Sequence, residues 1–277
     1  MDAMFAHDDH QAGQDGVAPV WVWALLAAAA AAYATAAAAA RRGPRGWRRR
    51  RIGAFLGGVL LLGWAVTPGT GPYPAGGFSA HMFQHLLIGM VAPLALVLSA
   101  PVTLLLRVLP PAGRRKVAAA LHSLPATVLA NPLAALFLSV GGLVAVYCTP
   151  LYEAAATRPW LHTLVHVHFF LAGYLFAWVI AGPDPAPRRP SVPARLVVLG
   201  VAVFAHATIS QLLYAGAFTT ADAPVADRRA GAELMYYGGD IAELLIAFAL
   251  LATWRPRRPG PPTAPAVTPR RSRVTQR

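Results

Sequence analysis

Two histidine pairs, His81 with His85 and His162 with His166, repeat a four-residue spacing near the starts of two apolar segments. Residues four apart share a helix face, so each pair presents both imidazoles in one direction. Ionisable side chains within a bilayer are costly and mark functional sites by default. Several imidazoles, with a thioether or thiol nearby, suit copper, zinc or haem iron. His206 lies within a further apolar segment and is either a ligand or a helix-bridging group. Met82, beside the first pair, could add a thioether, and Cys148 a thiol. His168 lies about 200° round the helix from His166 and cannot share its face; at most it supports a ligand. Asp240 and Glu243, one turn apart, need partners, and Asp240 could orient an imidazole through its second nitrogen. Tyr236 stands just before them. His7 and His10, in the sequence HDDH, read as a solvated tail with at most loose copper affinity, and His122 sits in a basic loop.

Other chemistries are excluded by what is missing. The single cysteine rules out an internal disulfide, a CxxC site and CxxCH haem attachment. There is no HExxH, phosphate loop or Ser/His/Asp arrangement. The only lysine, Lys116, is in a loop, so a retinal Schiff base is out. A non-covalent b-type haem held by two histidines stays open.

The elements that position these residues follow from composition. Of 277 residues, 56% are hydrophobic and 13% charged, the profile of an integral membrane protein. A span takes about 20 mainly apolar residues. The predicted fold is all-α, a polytopic bundle of seven transmembrane helices at roughly 20–40, 52–68, 81–106, 131–148, 159–181, 194–215 and 233–254. Residues 1–19 form an external acidic tail without a basic signal region, so insertion is expected to begin with an uncleaved first span. Residues 255–277 form a basic, proline-rich tail predicted to be disordered. The first span is mostly alanine and needs packing partners, and Pro93 should kink the third.

The net charge of +13 alone would suggest nucleic acid, but its placement argues against it. The segments 41–51, 107–127 and 182–195, with the C-terminal tail, hold 21 of the 24 Lys and Arg residues. That asymmetry puts the N-terminus outside and the C-terminus in the cytoplasm. The basic loops suit anionic lipid. In this orientation, His81, His85, His162, His166, Tyr236 and Asp240 lie in outer halves of their spans. Polar residues from several helices thus converge on the outer leaflet. The inner halves carry few ionisable groups, which counts against a copper permease.

Three stretches carry a resemblance. SAHMFQHLLIGMVAPLALVLSAP (79–101) resembles the third-helix signature of the CtaG-type cytochrome c oxidase (caa3-type) assembly factors. YCTPLYEAA with HTLVHVHFFLAGYLFAWVIAGPDP (162–185) is similar to that family's fourth-to-fifth helix region. DRRAGAELMYYGGDIAELL (227–245) is similar to its last helix, with Tyr236 where tryptophan is expected. The likeness spans residues 79–254. It implies a seven-helix bacterial plasma-membrane protein, not an enzyme, needed to assemble haem–copper oxidase and usually placed at copper supply. Its partners would be oxidase subunits, with an extracytoplasmic copper chaperone as a further candidate. Combined with the residues, it gives an expected outer-leaflet copper site of His81, His85, His162 and His166, with His206 and Asp240 nearby. The alternatives are a haem b electron-transfer protein and a scaffold without metal.

Overall fold

Proline and the placement of small residues set where the helices start and break. The computed structural model describes residues 20–254 apart from 45, 68, 188 and 220–222. The expected terminal tails, with His7 and His10, and Arg188 of the third basic loop lie outside the described residues. Twelve α-helices occur among the described residues: α1 (Val20–Arg41), α2 (Arg49–Ala65), α3 (Phe78–Leu86), α4 (Ala92–Leu98), α5 (Pro101–Val108), α6 (Pro111–Leu121), α7 (Leu124–Leu129), α8 (Pro132–Tyr147), α9 (Leu151–Thr157), α10 (Pro159–Ala181), α11 (Val192–Ala215) and α12 (Val225–Thr253). Proline occupies the first turn of α5, α6, α7, α8, α10 and α11, where its missing N–H costs nothing.

Each of the seven expected spans falls on helical chain. Five stretches are long and apolar enough to cross a membrane: α1, the run Phe78–Val108, α10, α11 and α12. The pair α8–α9, bent by 73°, makes a sixth if it is one broken span. At 17 residues, α2 is shorter than any of those five stretches. The architecture is that of a multi-pass membrane protein.

The run Phe78–Val108 threads the middle of the bundle and is broken twice. Leu87–Val91 forms a π-turn in which the Ala92 N–H reaches back to the Leu87 carbonyl. Pro93 explains the turn's position: its ring displaces the carbonyl four residues earlier, that of Gly89. That carbonyl points at Gly173 of α10, where a side chain would overlap it. The second break is at Ser99–Ala100, where Ala100 adopts left-handed φ 57° and ψ 58°. Tyr33 of α1 donates its hydroxyl to the Ser99 carbonyl at 2.8 Å, and Trp47 donates to the Tyr33 oxygen at 3.2 Å. The alanine-rich α1 is thereby pinned to the break.

Two carboxylates from distant chain hold the N-termini of this run. Asp227 accepts from the Phe78 and Ser79 N–H groups (2.6 and 3.2 Å) and from the Ser79 hydroxyl. Asp184 accepts from the Val102 and Thr103 N–H groups (3.0 and 2.7 Å) and from the Thr103 hydroxyl. Each takes the place of an N-cap side chain, which neither helix supplies. Within a bilayer, packing and polar contacts of this kind replace the hydrophobic drive. Around the histidines, Phe78, Met82, Tyr147, Val165, Phe169, Leu213 and Met235 form one buried cluster. A second, including Val97, Ile180 and Leu250, fills the other half.

Candidate metal centre

Three imidazoles from two helices meet at the end of the bundle opposite the arginine-rich loops. His81 comes from the second turn of α3, and His162 and His166 from successive turns of α10. Each offers a ring nitrogen within 4.8 Å of the other two. Ring centroids are 6.3 Å apart for His81 and His162, 6.0 Å for His81 and His166, and 4.2 Å for the α10 pair. All three rings are half-buried. The buried Nε2 of His166 has no hydrogen-bond partner among the described residues, a costly state for an imidazole held without a ligand. Metal–imidazole bonds are about 2.0–2.1 Å, which calls for nitrogens roughly 3.5 Å apart. Small side-chain rotations would close the remaining gap.

Tyr147, at the end of α8, is fully buried, and its hydroxyl lies 3.2 Å from His81 Nε2. Tyr152 of α9 meets the same ring edge-on at 5.1 Å. These two phenols fix the orientation of His81, the role that groups behind a metal ligand commonly play. Sequence reasoning missed both, although Tyr147 directly precedes the candidate Cys148.

His85 and His206 are not among the three nitrogens that meet within 4.8 Å. The two are buried, with ring centroids 6.5 Å apart, and both line a cavity of about 40 Å³ with Glu243. The His85 ring also meets Phe169 edge-on at 4.4 Å. His206 fits against α12 only because residue 239 is glycine; a Cβ there would overlap the imidazole. The four-residue spacing of His81 and His85 therefore serves two separate groups on successive turns.

The remaining candidates take other places. Met82 is wholly buried and packs towards Gly231 of α12 in the apolar cluster. His168 turns to α8, its Nε2 3.2 Å from the Leu138 carbonyl, as its angular offset from His166 requires. Cys148 ends α8 as a half-buried free thiol. Tyr236 packs edge-on against Tyr237 at 5.2 Å. Asp240 lines a groove of about 410 Å³ between α11 and α12, bounded by Leu196, Gly200 and Val203, and Glu243 borders both this groove and the inner cavity.

With that geometry in place, known proteins bear on the chain. The sequence profile of the cytochrome c oxidase caa3 assembly factors matches residues 31–257. The chain belongs to this family. The match takes in the second half of α1, the whole of α2 to α12 and every histidine of both groups. An uncharacterized protein of Mycobacterium bovis is 33% identical over 233 residues, covering 77% of this chain. Uncharacterized proteins of Mycobacterium tuberculosis and Mycobacterium leprae are 33% and 31% identical over the same length. The chain spans about a third (35%) of the length of these curated relatives. No solved structure matches it.

Proposed function

We propose that this member of the assembly-factor family binds copper as cargo at His81, His162 and His166 and delivers it to cytochrome c oxidase. The observation that carries this reading is the convergence of three imidazoles within 4.8 Å, at a junction of two helices with no carboxylate in the group. A neutral all-nitrogen set of three suits copper, and monovalent copper accepts three-coordinate geometry. The half-buried setting gives an ion access from the end of the bundle away from the basic loops. In the proposed orientation that end is external, with seven spans and a cytoplasmic C-terminus. Release then needs only stepwise replacement of imidazoles by ligands of the receiving oxidase subunit, so no catalytic group is required. An extracytoplasmic copper chaperone is the proposed donor, and anionic lipid the proposed partner of the basic loops.

The size of the inner cavity favours a bare ion over haem. About 40 Å³ between His85 and His206 is far below the roughly 300 Å³ or more of a cofactor pocket. The test is copper content after anaerobic loading with Cu(I), combined with oxidase activity in cells. Substituting His162 and His166 by Ala should remove the ion held by the trio and abolish oxidase assembly while the protein stays in the membrane. Retention of the parent's full copper stoichiometry together with oxidase activity by that variant would refute the proposal.

A further inference from the structure

We infer that His85, His206 and Glu243 form a second metal site, distinct from the trio, that holds monovalent copper between two imidazoles. Only the identity of the metal rests on the function proposed above; the site itself stands on its own geometry. Four buried atoms belong to residues that line one small cavity: Nδ1 of His85, Oε2 of Glu243 and both ring nitrogens of His206, whose Nδ1 lies against Gly239. None has a hydrogen-bond partner among the described residues. Buried polar groups in native proteins are nearly always paired, so a cluster of four calls for an occupant. The rings face each other at 6.5 Å between centroids and 36° between planes. Two metal–nitrogen bonds of about 2 Å, with about 1.2 Å from each nitrogen to its ring centre, give roughly 6.4 Å. That spacing leaves room for one two-coordinate ion between the rings, a coordination that Cu(I) accepts and that divalent zinc avoids.

Charge supports the same occupant. Two neutral imidazoles around a monovalent cation leave one positive charge, which Glu243 in the cavity wall can match by giving up its proton as the ion binds. The fold makes room for this arrangement deliberately. Gly239 opens a slot for His206, and the π-turn begins two residues after His85. Such π-turns occur often at functional sites. The pair lies one helical turn, about 6 Å, further along α3 than His81. Tyr147 touches both levels, its hydroxyl at His81 and its ring 6.2 Å from that of His85. Glu243 also borders the groove between α11 and α12. The second site is thus an inner station between the trio and a lateral opening.

The test is anaerobic titration of the purified full chain with Cu(I) alone, against a chromogenic Cu(I) chelator. The parent should bind about two equivalents and the His162→Ala/His166→Ala variant about one, with X-ray absorption showing two nitrogen neighbours. His85→Ala/His206→Ala should bind about one equivalent, still held by three nitrogens of the trio, although the shared neighbour Tyr147 lets its affinity shift. Because those variants remove buried rings, His206→Gln supplies a bulk-conserving check and should lose the same equivalent. If the parent binds a single equivalent that only the trio variant abolishes, the second site is refuted, while the proposed function stands. If copper binding survives every histidine substitution, both are refuted.

Discussion

Replacing Gly173 with Ala offers a sharp probe of the seam that holds the trio together. A Cβ at this position of α10 would overlap the Gly89 carbonyl oxygen and lie 2.7 Å from the carbonyl carbon and 3.3 Å from its Cα. Carbon atoms pack at about 3.5–4.0 Å, so α10 and the π-turn must part by roughly 1 Å. The obstacle is backbone, not the end of a flexible side chain, so the overpacking cost belongs in the upper part of the usual range of about 1–3 kcal/mol. Alanine returns about 1 kcal/mol of helix propensity. The net destabilisation is about 1–2 kcal/mol, or a fall in Tm of roughly 2–8 °C for a chain of this size. The same seam carries His81 on one side and His162 and His166 on the other. A shift of about 1 Å exceeds the roughly 0.5 Å tolerance of a binding constellation. Cu(I) affinity of the trio should therefore drop about 10- to 100-fold, the scale of damage seen when support behind metal ligands is lost. Melting in detergent and chelator competition read the two effects. Gly57→Ala on α2, where a Cβ meets nothing within 4 Å, is the control and should be neutral or stabilising by up to about 1 kcal/mol. If Gly173→Ala melts like the parent and binds Cu(I) as tightly, the close crossing at Gly89 is not what sets the trio.

Three other substitutions separate the roles assigned above. Tyr147→Phe keeps the buried ring but removes the hydroxyl at His81, so Cu(I) affinity should fall about 10- to 100-fold with little change in Tm. Asp227→Ala leaves the N-terminus of α3 without its carboxylate cap and should cost about 1–3 kcal/mol, read as a lower Tm with copper stoichiometry intact. His168→Ala, whose ring bonds the Leu138 carbonyl on α8, should leave Cu(I) affinity within about twofold of the parent.

Much of the fold was legible because membrane helices write themselves locally. The apolar runs fall on helices where sequence reading places them, whereas the 107–127 connection, read as a loop, is largely helical as α6 and α7. Pro93 announced a distortion, although its form, a π-turn before the proline, depends on Gly173 across the seam. The left-handed Ala100 gave no local sign, since an alanine at that conformation is held by Tyr33 and Asp184 from remote chain. The same distance hid the two caps: Asp227 and Asp184 act 148 and 81 residues away from Ser79 and Thr103. Histidine spacing marked which residues share a helix face, and the offset of His168 agrees with its turn towards the Leu138 carbonyl of α8. It could not show that His81 and His85 divide between two groups. That division depends on which neighbouring helix, α10 or α11, brings an imidazole to each turn of α3.

The most direct test of the account counts copper in the purified full chain lacking the inner pair, His85→Ala/His206→Ala, after anaerobic Cu(I) loading. That protein should hold about one ion with three nitrogen neighbours near 2.0 Å by X-ray absorption, and adding His162→Ala/His166→Ala should empty it. An ion that stays bound with unchanged coordination after the second pair is removed would contradict the trio as the copper site.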